Sequence, residues 1–207
     1  MNRLLKPLIP LSVLMLLIAC AEAPKPAEQK AKEPPKPPEA VTALKAFWQM
    51  YGAARGWATD LETLQMSSIA LPEIPAKDGK YPAWQATFVS PSKRSSRTFT
   101  YAVIESQGLF KGVFARHEDT YSGPHGQVSP FPIAALKVDS DAALAAAVKK
   151  SAQYMKKFPD KPVTFLLERT KRFPNPAWRV IWGESVSSSD YSVYVDASTG
   201  EYLQTMR

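Results

Sequence analysis

From residue 41 onward the apolar positions change period in a fixed order, and then repeat that order. Val41, Leu44, Phe47, Trp48 and Tyr51 fall at helical spacing, with Gly52 and Gly56 marking a fraying end. An extended run over residues 63–70 follows. A Trp-bearing strand, a polar turn over residues 90–96, an aromatic strand around Phe99 and Tyr101, and a turn at Gly108 into a last strand complete the first set. The second set opens on Asp139-Ser140-Asp141, which supplies a capping side chain and negative charge to a helix start. Leu144, Ala147, Val148, Ser151 and Met155 form its face, Lys156 and Lys157 sit at its negative end, and Pro159 and Pro162 stop it. Residues 163–172 then alternate, a Trp strand and an aromatic strand flank the polar turn over residues 183–190, and Gly200 permits the turn into the last strand.

The two sets correspond residue by residue. Pro82-Ala83-Trp84 recurs as Pro176-Ala177-Trp178, an offset of 94. Phe99, Tyr101, Gly108 and Phe110 return as Tyr191, Val193, Gly200 and Tyr202 at an offset of 92, so the connecting turn differs by two residues. Self-similarity at this period marks a duplicated unit. One helix across an antiparallel sheet buries such alternating rows. The expectation is an α+β fold of two helix-plus-antiparallel-sheet units in tandem, residues 41–125 and 126–207.

Trp178-x-Val180 followed by Tyr194-Val195-Asp196-Ala197-Ser198-Thr199-Gly200-Glu201-Tyr202-Leu203 resembles the PepSY domain signature, and the likeness covers residues 141–206. The first copy departs from it, since Ile104-Glu105-Ser106-Gln107-Gly108 keeps only the glycine and is read as a degenerate unit. The residues themselves favour a turn over chemistry. Asp196 can accept from backbone N–H groups two or three residues on, and Gly200 and Gly108 supply positive φ. The resemblance implies a PepSY/cystatin-like unit of the kind that accompanies secreted peptidases and sensors and restrains or regulates them. It implies a protein or peptide partner and no catalysis. The alternative is a carrier of a lipid or other small apolar ligand, with a roomy pocket among Trp84, Phe88, Trp178 and Trp182.

The first forty residues bear on location. Arg3 and Lys6, an apolar run over residues 8–18 and a closing Cys20 read as a secretory signal, too short to span a bilayer core of about 30 Å. Leu17-Ile18-Ala19-Cys20 resembles the bacterial lipoprotein box. That implies cleavage after residue 19 and acylation of Cys20, the chain's one cysteine, giving a membrane anchor. Ala21 in place of Asp implies the outer rather than the inner membrane. Residues 21–40 hold six of the 19 prolines, four Lys, four Glu and no large apolar side chain. Such a segment is expected to be a disordered tether, reaching at most roughly 60 Å at about 3.1 Å per residue.

Charge and chemistry change this picture little. The formal charge of +7 becomes +5 once Arg3 and Lys6 leave with the signal, and the tether is neutral. The paired cations, Lys149-Lys150 and Lys156-Lys157 among them, read as solvated surface or as attraction to anionic envelope polymers or head groups. An exported lipoprotein is not expected to meet nucleic acid. His117, Glu118, Asp119 and His125 are metal-ligand types, but their spacing matches no metal motif and Gly123-Pro124 reads as a connector. No P-loop, dinucleotide fingerprint, HExxH or G-x-S-x-G frame occurs, so neither an enzyme nor a cofactor is expected. Trp57, beside Gly56, is expected to be the exposed tryptophan. With His125 and Phe131 of the segment 123–132, it is a candidate partner-binding residue. The other reading of that segment is a plain linker.

Overall fold

The computed structural model describes residues 37–207 except Gln107, His125 and Gln127; Cys20 and the segments expected to be the signal and most of the tether lie outside the described residues. Helix α1 (Ala43–Ala54) precedes β1 (Glu62–Ile69), β2 (Ala83–Ser90), β3 (Ser95–Ala102) and β4 (Gly112–Thr120). Two short strands, β5 (Val128–Ser129) and β6 (Phe131–Pro132), and a 3-10 turn over Ile133–Ala135 lead to helix α2 (Ser140–Lys157). Strands β7 (Val163–Thr170), β8 (Ala177–Trp182), β9 (Tyr191–Asp196) and β10 (Tyr202–Met206) complete the chain. A helix followed by four strands therefore occurs twice.

All eight long strands belong to one antiparallel sheet, ordered β10-β9-β8-β7-β1-β2-β3-β4. The first strands of the two sets meet at the centre. There Gln65, Met66 and Ser67 of β1 face Glu168, Leu167 and Leu166 of β7. Pairing at this seam lasts only those three residues, and the strands then splay at both ends. At one end β6 pairs with β1 and β5 with β7. At the other, the Ser68 hydroxyl accepts from the Phe165 N–H at 3.0 Å, replacing a ladder bond.

Both helices lie on one face of this sheet, over a hydrophobic cluster that spans both halves. Helix α1 packs on β2, β3 and β4 through Ala43, Ala46, Phe47, Met50 and Ala54, with the Phe47 ring 5.5 Å from Phe88. It ends at Ala54, between Gly52 and Gly56, where the fraying end was expected. Helix α2 buries Ser140, Ala143, Ala147 and Ser151, a row of small residues that lets it lie against the broad side chains of β8 and β9. Trp84, Phe165 and Trp178 are fully buried between, with ring centroids 6.0–6.4 Å apart. Each such buried ring contributes about 1.5–3 kcal/mol by leaving water. Trp84, Phe88, Trp178 and Trp182 are thus packed into the core, and the carrier pocket expected among them is not there.

The two sets are tied in matching ways. The Trp84 indole N–H donates to the Val41 carbonyl at 3.0 Å, and that of Trp178 to the Val138 carbonyl at 2.8 Å. Both carbonyls lie one residue before a helix N-cap, so each Trp pins its strand to the entry of its own helix. Likewise Val103 N–H donates to Pro82 and Ala197 N–H to Pro176, both at 2.9 Å.

The helix entries also bind each other. Thr42, the N-cap of α1, offers no side-chain cap. Instead Ala43 N–H donates to Ser140 Oγ and Leu44 N–H to Asp139 Oδ1, each at 2.9 Å. Asp139 caps its own helix through Ser140 N–H at 2.7 Å, and the Ser140 hydroxyl donates to the Gly79 carbonyl at 2.7 Å. One pair of side chains at the start of α2 thus satisfies orphan donors of both helices.

Both sheet edges are irregular. Strand β4 is bulged between Ala115 and Glu118, and β10 between Tyr202 and Gln204. With the exposed Arg116, His117, Glu118 and Asp119, the β4 bulge discourages edge-to-edge pairing.

Candidate functional site

Among the described residues, His117, Glu118 and Asp119 of β4 do not converge on one point. His117 Nε2 lies 3.0 Å from Asp119 Oδ1, both side chains standing well out in solvent. Glu118 points to the helix side, where its Oε2 accepts from the Trp57 indole N–H at 2.7 Å. The Ser95 hydroxyl and then this N–H hold its carboxyl below the usual range. The Ser95 Oγ makes no bond of strict geometry, so the Trp57 contact is the firmer of the two. His125 lies outside the described residues. Among the described residues no three His, Cys, Asp or Glu side chains converge.

Trp57 is half-buried rather than exposed: Phe99 lies 6.5 Å from its ring and Lys93 Nζ 5.8 Å. The exposed tryptophan is Trp48, at 51 %, on the outer side of α1. Phe131 departs further from expectation. It is fully buried beside Thr63 of β1, because the connector becomes strand β6 and turns that ring into the core. Phe131 thus presents no contact surface, and Trp57 presents part of one.

Asp196 and Gly200 form a closed turn. Asp196 Oδ1 accepts from Ser198 N–H at 2.7 Å and Thr199 N–H at 3.0 Å, and Oδ2 accepts from Asn175 Nδ2 at 3.0 Å. Gly200 has φ +82° and Gly108 φ +80°, the left-handed region that glycine enters without strain.

A cleft of about 720 Å³ opens where β1 and β7 splay. Its apolar walls come from Leu71 and Pro75 of the β1–β2 connection, Tyr81, Leu144 of α2, and Val163 and Phe165 of β7, with Lys77, Lys161 and Glu184 among its polar lining. The connection over residues 70–82 builds one side of it. The equivalent β7–β8 connection, residues 171–176, is shorter by seven residues. The long loop is pinned at both ends. The Ser106 hydroxyl donates to Glu73 Oε1 at 2.6 Å, and Asp78 and Gly79, with φ +52° and +76°, form a tight Asp-Gly turn between Lys77 and Lys80.

The Tyr81 hydroxyl donates to the Val163 carbonyl across the splayed seam. Burial pushes its phenol up to about 12, so it stays protonated at neutral pH and is no base. The cleft offers apolar contact and a charged border rather than a nucleophile with its base. Sequence reading overlooked it, although the stretch Leu71-Pro72-Glu73-Ile74-Pro75, with no counterpart between the later pair of strands, is a signal the sequence itself carries.

No protein-family model, no curated protein and no solved structure matches this chain.

Proposed function

We propose that the chain is a non-catalytic lipoprotein of the bacterial cell envelope, anchored through acylated Cys20, whose duplicated PepSY-like body binds an apolar peptide segment of an envelope partner in the seam cleft. The helix-plus-four-strand order repeated twice, the paired Trp bonds to Val41 and Val138, and the paired bonds to Pro82 and Pro176 support the duplication. The observation that carries the binding reading is the long loop. It interrupts the repeat at one place, and at that place it walls an apolar cleft. An addition to a duplicated scaffold that creates concave apolar surface supports recognition.

Ala76 lines the cleft and is exposed, so changes there spare the core. A photo-crosslinking residue at position 76 is expected to yield a discrete adduct in envelope extracts, and Thr164→Arg, which crowds the cleft, to abolish it. Absence of an adduct, or an adduct indifferent to Thr164→Arg, would refute cleft binding. Cys20→Ser is expected to abolish labelling by palmitate. The cleft volume also favours a second reading, carriage of a small apolar ligand. Stoichiometric lipid in an organic extract of the purified protein would select that reading over the first.

A further inference from the structure

A second concavity, independent of the seam cleft, has charged side chains of one sign only. It encloses about 590 Å³ on the outer side of α2, where Lys149, Lys150 and Lys157 meet Arg207 from the end of β10. Tyr154 and Tyr191 form its base, their rings stacked 4.1 Å apart and 10° from parallel. The Tyr191 hydroxyl donates to the Lys150 carbonyl at 3.2 Å, which ties that base to the helix. No Asp or Glu side chain belongs to its lining. The nearby Asp190 is already engaged, by the Tyr154 hydroxyl at 2.6 Å and Lys161 at 3.7 Å. Among the described residues none of the four lining cations is ion-paired.

Helix polarity accounts for only part of this. Lys156 and Lys157 occupy the last turn of α2, where cations complement the dipole. Lys149 and Lys150 lie in mid-helix and Arg207 comes from another element, so their convergence has no such cause. Like charges gathered without counter-charge repel one another, and an anionic surface relieves that repulsion. Exposed Tyr202, with Lys150 Nζ 4.8 Å from its ring, adds an amphipathic aromatic of the kind that sits among lipid head groups.

We propose that this face of α2 docks on an anionic lipid surface, the lysines and Arg207 contacting head-group phosphates. Reach permits it. The expected tether leads into α1, whose first residues bond to Ser140 and Asp139 at the start of α2, and the 18-residue helix is about 27 Å long, less than half the roughly 60 Å expected of the tether. Docking would hold the body flat against the membrane instead of at the end of its stalk.

Residues 37–207 form a compact unit with its own core, so the test uses this fragment without an anchor. It is expected to sediment with vesicles of phosphatidylglycerol and phosphatidylcholine, and not with phosphatidylcholine alone. The triple variant Lys149→Gln, Lys150→Gln, Lys157→Gln should partition roughly 100-fold less, at about 1 kcal/mol per lysine near a charged surface. Lys45→Gln, Lys80→Gln, Lys111→Gln, with the same change in net charge, should retain most binding. Equal loss in both triples would overturn the proposal, leaving only net charge. Displacement by inorganic phosphate at constant ionic strength would also overturn it, since a small-anion site would then suffice.

Discussion

Ser140→Ala tests the junction that orients both helices. Its hydroxyl is fully buried, accepts from Ala43 N–H and donates to the Gly79 carbonyl. Its removal strands a donor and an acceptor where water has no room, at about 1–3 kcal/mol each in place of the bonds' smaller net contribution. Alanine recovers about 0.5 kcal/mol of helix propensity. The expected loss is about 2–5 kcal/mol, a fall in Tm of about 6–15 °C at about 3 °C per kcal/mol for a domain of this size. Urea and thermal unfolding followed by two spectroscopic probes would measure it and test two-state behaviour. Ser151→Ala supplies the contrast. Ser151 is equally buried on the same helix, but its hydroxyl bonds only to the Ala147 carbonyl one turn back. That carbonyl keeps its helical partner when the hydroxyl goes, so the expected loss is under about 1 kcal/mol. If Ser140→Ala costs no more than Ser151→Ala, the shared cap does not hold the helices and the reasoning fails.

Gly79→Ala should cost about 2–4 kcal/mol in urea unfolding, because φ is +76° and a Cβ would stand 2.7 Å from Asp141 Cα. Gly108→Ala, with a similar φ but open space around it, should cost only about 1 kcal/mol, and parity between the two would refute the close-approach argument. Asp196→Ala removes the acceptor for Ser198, Thr199 and Asn175 and should cost about 2–4 kcal/mol. Asp196→Asn, which keeps Oδ1 as an acceptor, should cost less than half of that, and equal costs would mean the turn does not depend on this oxygen. In the folded protein Tyr81 holds its proton up to about 12 against a usual 10.0. Its contribution is therefore complete below pH 10 and is lost as pH rises toward 12, a slope that unfolding across this range should show and Tyr81→Phe should reduce. An unchanged slope in the variant would assign the effect elsewhere, with Tyr154, also pushed up to about 12, the next group to test.

Much of the secondary structure was legible because its causes are local. The alternation through Phe165 and Leu167 needs only a two-residue period, and the ends of α2 need only Asp139 and Pro159. Asp196 and Gly200 close their turn with partners two to four residues away. Boundaries drifted by small amounts: β1 begins at Glu62 rather than residue 63, and β7 ends at Thr170 rather than residue 172. The two tryptophan strands declared themselves by recurrence, and their rings are buried on one face.

What sequence alone could not decide lies in contacts between the halves. Whether the two helix-and-strand sets pack as lobes or share a sheet depends on three residue pairs between β1 and β7, about a hundred positions apart. Ser140 and Asp139 cap a helix that begins 97 and 95 residues earlier, a partnership that leaves no trace in either local pattern. Phe131 sits in a Pro-flanked connector and reads as exposed, yet pairing with β1 buries it. Trp48 and Trp57 changed places for a similar reason. Helix α1 buries the row Ala43, Ala46, Phe47, Met50 and Ala54, which leaves Trp48 outward, while Glu118 of the edge strand captures the Trp57 indole. Local rules determine which segments are helix or strand. Only the folding together of both halves determined which side chains met, where the seam splayed, and hence where a cleft could form.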